Sequence, residues 1–142
     1  MKKTLFALLL AGTTFLLTQC KPEEQPMPQD EAPKYSIQIL SPDTQAKHVG
    51  DTIQIQVQFD EENGDIVHHI NVKIYEKNND SNVIYNMPTD AHVYQLPPYT
   101  YEDPFVLNVP PHTDWVLQAG VWGHENMEGM KTSSIEFHVH PQ

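Results

Sequence analysis

The segment His124-Glu125-Asn126-Met127-Glu128-Gly129-Met130 puts one imidazole and two thioethers within seven residues, on a stretch that Gly129 lets fold back. Imidazole and thioether together are soft ligands suited to Cu(I), so His124, Met127 and Met130 are candidate copper ligands. The plainer account is that the two methionines cap one end of the fold; apart from copper, no cofactor is expected. Histidine is unusually frequent, with 8 in the chain. His138 and His140, two residues apart and in phase with Glu136, could chelate a divalent ion weakly, although solvated surface side chains explain them more simply. His69 could join them only if its strand lies beside theirs. His68 keeps phase with Ile66, Ile70 and Val72, which predicts a core-face ring hydrogen-bonded to backbone.

Other chemistries find less support. Asp60, Glu61, Glu62, Asn63 and Asp65 offer hard oxygens of the kind Ca²⁺ takes, but no bidentate Glu closes the loop at the required distance, so a solvated acidic turn is expected. Tyr94, Tyr99 and Tyr101, stiffened by Pro97, Pro98 and Pro104, could form a recognition surface for a protein or glycan partner at low entropic cost. The simpler account is that the rings pack over an edge of the fold. No serine has the glycine-flanked setting of a hydrolase nucleophile. With 6 glycines in the chain there is no phosphate-cradling loop either. The residues therefore predict a binding or assembly module and not an enzyme.

Charge narrows the partners. The chain carries a formal charge of −11, with 8 basic residues, all lysine. Nucleic-acid binding needs basic groups that neutralise phosphate, so that class is excluded. The same sign argument excludes attraction to anionic lipid head groups and leaves acyl chains as the means of holding a membrane.

Such an anchor is suggested at the N-terminus. Lys2 and Lys3 precede a mostly apolar run from Leu5 to Leu17, too short to span a bilayer but suited to an export signal. No A-x-A-like cleavage pattern follows it. The run ends Leu16-Leu17-Thr18-Gln19-Cys20, and Cys20 is the single cysteine, unable to form an internal disulfide. The segment resembles the lipobox of bacterial lipoproteins, with Gln19 where that family usually has a small residue. The resemblance implies cleavage before Cys20 and acylation there, palmitate included. It also implies residence as an outer-membrane lipoprotein on the periplasmic or cell-surface face. Loss of residues 1–19 removes two lysines and no acid, taking the charge from −11 to −13. Residues 20–34 then form a proline- and acid-rich spacer, whose Cys-Lys-Pro-Glu-Glu start resembles the export tag of surface lipoproteins in Bacteroidota-type bacteria.

From Tyr35 the pattern has period two. Tyr35, Ile37 and Ile39 alternate with polar residues; Ile53, Ile55, Val57 and Phe59 alternate with Gln54, Gln56 and Gln58. Further strands are predicted over 66–75, 83–85, around Phe105 to Val109, over 115–123 and around Ile135 to Val139, the last two as a hairpin. About seven short strands without a helical stripe predict an antiparallel β-sandwich over 35–142. The Gly50-Asp51-Thr52-Ile53 opening, the Asn63-Gly64-Asp65 turn and the closing hairpin resemble immunoglobulin-like modules carried on Bacteroidota lipoproteins. That resemblance implies a fold and leaves function to the site.

The lipobox generates a direct test. Cys20→Ser should give unprocessed or released protein, and mass spectrometry of the wild type should find acyl chains on residue 20. A mature N-terminus elsewhere and free of acyl chains would be the opposite result.

Overall fold

The computed structural model describes residues 32–142. The signal segment 1–19, Cys20 and the spacer as far as residue 31 lie outside the described residues. Alternating β-branched and aromatic residues favour extended chain, because a strand turns successive side chains to opposite faces and can bury one set. Nine strands form among the described residues, and no helix: β1 (Tyr35–Ser41), β2 (Lys47–His48), β3 (Thr52–Glu61), β4 (Val67–Glu76), β5 (Asn79–Met87), β6 (His92–Gln95), β7 (Tyr99–Val106), β8 (Thr113–Trp122) and β9 (Lys131–His140). One sheet has the order β1-β3-β7. The other has the order β2-β9-β8-β4-β5, with β6 also paired to β4. Apart from the short parallel contact of β2 with β9, every pairing is antiparallel. The architecture is the immunoglobulin-like sandwich that the alternation predicts, with β2 and β6 as short additions.

The inner faces meet in one core. Ile53, Ile55, Val57 and Phe59 of β3 face Val67, Ile70, Val72 and Ile74 of β4, Trp115, Leu117, Ala119 and Val121 of β8, and Phe137 and Val139 of β9. Each large side chain so buried contributes roughly 1.5–3 kcal/mol relative to exposure. Trp115 is buried with its indole N–H donated to Thr113 Oγ1 at 2.7 Å, which removes the cost of hiding a donor.

Three details depart from the sequence reading. The strand expected around Phe105 to Val109 begins earlier, at Tyr99, and Leu107 and Val109 are buried beyond its end. Pro104 is accommodated because β7 is an edge strand, where a missing N–H breaks no ladder. The segment after β4 turns at Lys77-Asn78, so β5 is a full nine-residue edge strand and not a short one at Val83 to Tyr85. Pro33 and Lys34, assigned to the spacer, are already tied to the domain. Glu61 accepts the Lys34 N–H at 2.9 Å, and the Glu62 N–H reaches Lys34 O at 3.0 Å.

Polar groups close the sandwich where apolar ones cannot. Tyr85 on β5 donates its hydroxyl to Asp103 Oδ2 at 2.7 Å, and Tyr101 on β7 meets the same hydroxyl at 2.6 Å. This bridge joins the two sheets along the β5–β7 side. Burial, then the bonds to Tyr101 and Asp103, push the Tyr85 phenol far above its ordinary range; burial likewise raises Tyr99 and Tyr101. Phenols held protonated in the folded state lose their proton first in the unfolded chain, whose tyrosines titrate near pH ~10. Their contribution is therefore complete below that pH and is lost as pH rises beyond it. The melting temperature should hold level up to about pH 9 and fall above pH ~10, more gently in Tyr85→Phe. Equal alkaline slopes in the two proteins would contradict the bridge.

Phe59 is fully buried and stacks on Tyr99 with ring centroids 6.4 Å apart. Phe59→Ala should cost about 3–5 kcal/mol in chemical denaturation; a loss under ~1 kcal/mol would be the value of an exposed position.

Candidate metal centre

The centre begins with a break in alternation. Val67 and Ile70 are both buried although three residues apart, an odd step that a regular strand would turn to opposite faces. His68 and His69 absorb the mismatch, each half-buried and neither in the core. The register against β6 shifts at the same place, from Val67 opposite Gln95 to His69 opposite His92. One extra residue thus lies on β6, and Tyr94 there adopts a left-handed φ of 52°. The core-face position predicted for His68 is therefore overturned: Val67 takes the buried place, and His68 is left half-buried outside the core.

Four imidazoles come together here. His92 opens β6, placed by the Ile70 N–H donated to Ala91 O at 2.9 Å and by its own N–H to Asp90 Oδ1 at 3.0 Å. His124 follows the end of β8. The loop that carries it is folded by Gly123 N–H to Glu128 O at 2.7 Å and Glu128 N–H to Glu125 O at 2.8 Å. Gly129 has φ +63° and lies so close to the Pro33 carbonyl that a Cβ would stand 2.3 Å from the oxygen. No other residue fits there, so the glycine packs the loop against the entering chain.

His68, His92 and His124 each have one ring nitrogen within 4.8 Å of the other two. Metal–nitrogen bonds of about 2.0–2.1 Å allow two ligands on one ion to be at most ~4.2 Å apart, so movements of under about 1 Å would complete the site. Ring centroids are 5.3 Å apart for His68–His124, 5.9 Å for His68–His92 and 6.2 Å for His92–His124. His69 stacks between His92 at 4.9 Å and Trp122 at 5.6 Å and supports the His92 ring from the side. The Nδ1 atoms of His68 and His69 are hidden from solvent without a hydrogen-bond partner. Buried polar atoms are seldom left so, which marks these nitrogens as open to a ligand. Burial first, then the neighbouring imidazoles of His124, His69 and His92, lower the His68 pKa and favour the neutral ring that metals bind.

The other sequence candidates disperse. Met127 and Met130, 57% and 48% exposed, line a shallow hollow on the outer face with Asn71, Lys73, Gln118 and Trp122, and no histidine borders it. The His124 ring lies beside those of His68 and His69 on β4 and His92 on β6. Tyr94 is exposed and meets the His68 ring edge-on at 5.3 Å. Tyr99 and Tyr101 are inward residues of β7, so the three tyrosines do not share one surface. The acidic turn is a structural device: Glu61 is 3% exposed, and its two oxygens accept backbone N–H groups of Lys34 and Asp65 at 2.9 and 2.8 Å. β8 lies between β4 and β9, so His69 stays far from His138 and His140. Glu136 is occupied by Lys77.

Nothing local marks His92, His112 or His48 in the sequence; each is a lone imidazole in a turn-rich stretch. The available signal is global, 8 histidines in a strongly acidic chain.

No family model matches the chain, and no curated protein matches it. Among solved structures it is similar to the CARDB domain of a Pyrococcus furiosus protein, in a solution structure. The match has 14% identity, covers 78% of this chain and 97% of that one, and has a TM-score of 0.49. A crystal structure of the same CARDB domain in complex with di-metal ions gives 14% identity, 80% and 99% coverage and a TM-score of 0.49. Domain 1 of VCBP3 from Branchiostoma floridae gives 12% identity, 75% and 96% coverage and a TM-score of 0.40.

Proposed function

We propose that this protein is a non-enzymatic lipoprotein, anchored through Cys20 outside the cytoplasm, whose sandwich holds a divalent transition-metal ion between His68, His92 and His124. The convergence of three imidazoles from separate strands and turns, with the His68 Nδ1 buried and unpartnered, carries the reading. An all-imidazole set suits Zn²⁺, Cu²⁺ or Ni²⁺ better than Cu(I), because the thioethers of Met127 and Met130 line a hollow of their own. The charge of the whole chain, −11, favours the approach of any cation. Two of the three ligands, His92 and His124, are exposed, which suits an ion that is taken up and released.

The test is a titration of residues 31–142, a unit that encloses its own core, with Zn²⁺ followed by calorimetry. His68→Ala with His92→Ala should weaken binding at this centre at least 100-fold while leaving the β-sheet circular-dichroism spectrum intact. Zinc at about 100 times its Kd should stabilise the wild type by ~2.7 kcal/mol, because it binds the native state alone. Identical titrations of wild type and double variant would refute the proposal.

A further inference from the structure

The remaining four histidines are not scattered. His112, His138 and His140 direct one ring nitrogen each to within 4.8 Å of one another, and His48 stands 6.1 Å from His140, centroid to centroid. Every histidine of the chain thus belongs to one of two groups of four. The groups occupy opposite ends of β8. Trp122, at its last residue, faces His69, whereas Asp114, at its second, faces His138. A ten-residue strand separates them by about 30 Å, so one ion cannot serve both.

We infer that His112, His138 and His140 form a second, independent site for a divalent transition-metal ion of the zinc, nickel or copper(II) class. Strand geometry supplies two of the ligands. His138 and His140 alternate with the buried Phe137 and Val139, so both rings leave the same outer face of β9, 4.7 Å apart. His112 arrives from the turn before β8, locked by its N–H to Val139 O at 2.7 Å and by a left-handed φ of 61°. Its ring lies 6.3 Å from each of the other two.

Asp114 gives this group a feature that solvated histidines lack. Its Oδ1 lies 2.7 Å from His138 Nδ1. A carboxylate only accepts, so Nδ1 carries the proton and the Nε2 lone pair is left for a metal. A carboxylate behind the imidazole is the usual way in which proteins orient a metal-binding histidine. Asp114 is thus a positioning residue. His48, on β2 opposite His140, is placed to be a fourth ligand, its N–H held by Asp51 Oδ2 at 2.7 Å.

Titration of residues 31–142 with Co²⁺, a spectroscopic probe of imidazole coordination, should show two equivalents bound. The His68→Ala, His92→Ala variant should keep one, and a His112→Asn, His140→Ala variant should keep the other. Asparagine is chosen at 112 because it tolerates positive φ. Asp114→Ala should weaken the second equivalent by about 10–100-fold without touching the first. Independently of any variant, paramagnetic Co²⁺ should perturb the amide resonances of 112–114 and 138–140 as a set apart from those near His68, His92 and His124. A single equivalent abolished by the His68/His92 changes, or unaltered binding in the His112/His140 variant, would overturn the inference. A single equivalent lost only in the His112/His140 variant would uphold it and remove the first centre instead.

Discussion

The antiparallel register of β4 on β8, from His69 opposite Trp122 to Glu76 opposite Trp115, is the constraint on which the rest of the molecule depends. These two strands lie in the middle of the larger sheet, with β9 beyond β8 and β5 and β6 along the far edge of β4. Their inner residues, from Val67 and Ile70 to Leu117 and Val121, are fully buried and define one wall of the core. Sliding β4 by one residue would turn that whole set to solvent, so the register admits no alternative. Because the register is fixed, so are the strand ends, and both groups of imidazoles lie at those ends.

The chemistry depends on what the core leaves over. In a two-layer sandwich the inner faces are apolar by necessity, and reactive or ligating groups are confined to outer faces, turns and irregularities. This chain uses a bulge to put His68 and His69 on one side, and a regular alternation to put His138 and His140 on one side. Two different local geometries give similar results: one imidazole each from β4, β6 and the turn after β8 in the first group, and a pair on β9 joined by a ring from the turn before β8 in the second. His92 and Asp114 show how backbone and carboxylate contacts then hold these groups in place.

Acidity has two distinct roles. Most carboxylates are exposed and give the chain its negative field, which attracts cations without specifying a site. A few are structural. Glu61 is buried because its oxygens satisfy backbone donors of the entering chain and of the turn after β3. Asp103 is half-buried because it takes the Tyr85 hydroxyl across the two sheets. Counting acidic residues cannot separate these roles; hydrogen-bond partners do.

The sequence by itself determined the sandwich. Period-two alternation in Ile53 to Phe59, in the β4 segment and in the closing hairpin states which residues face inward, and a strand obeys that period wherever it is regular. It determined the sign of the electrostatics as well. The tertiary structure alone decided the candidate centres. His68, His92 and His124 are far apart along the chain, and their meeting depends on strand pairing, which is non-local. The same holds for His112 with His138 and His140. Local pattern points instead to His124 with Met127 and Met130, neighbours in sequence, and says nothing of the imidazoles that strand pairing brings beside His124. It also groups Tyr94, Tyr99 and Tyr101, which a strand and a bulge divide between surface and core. Periodicity misplaces His68 because β4 breaks its own alternation between Val67 and Ile70, both buried, where its register against β6 shifts.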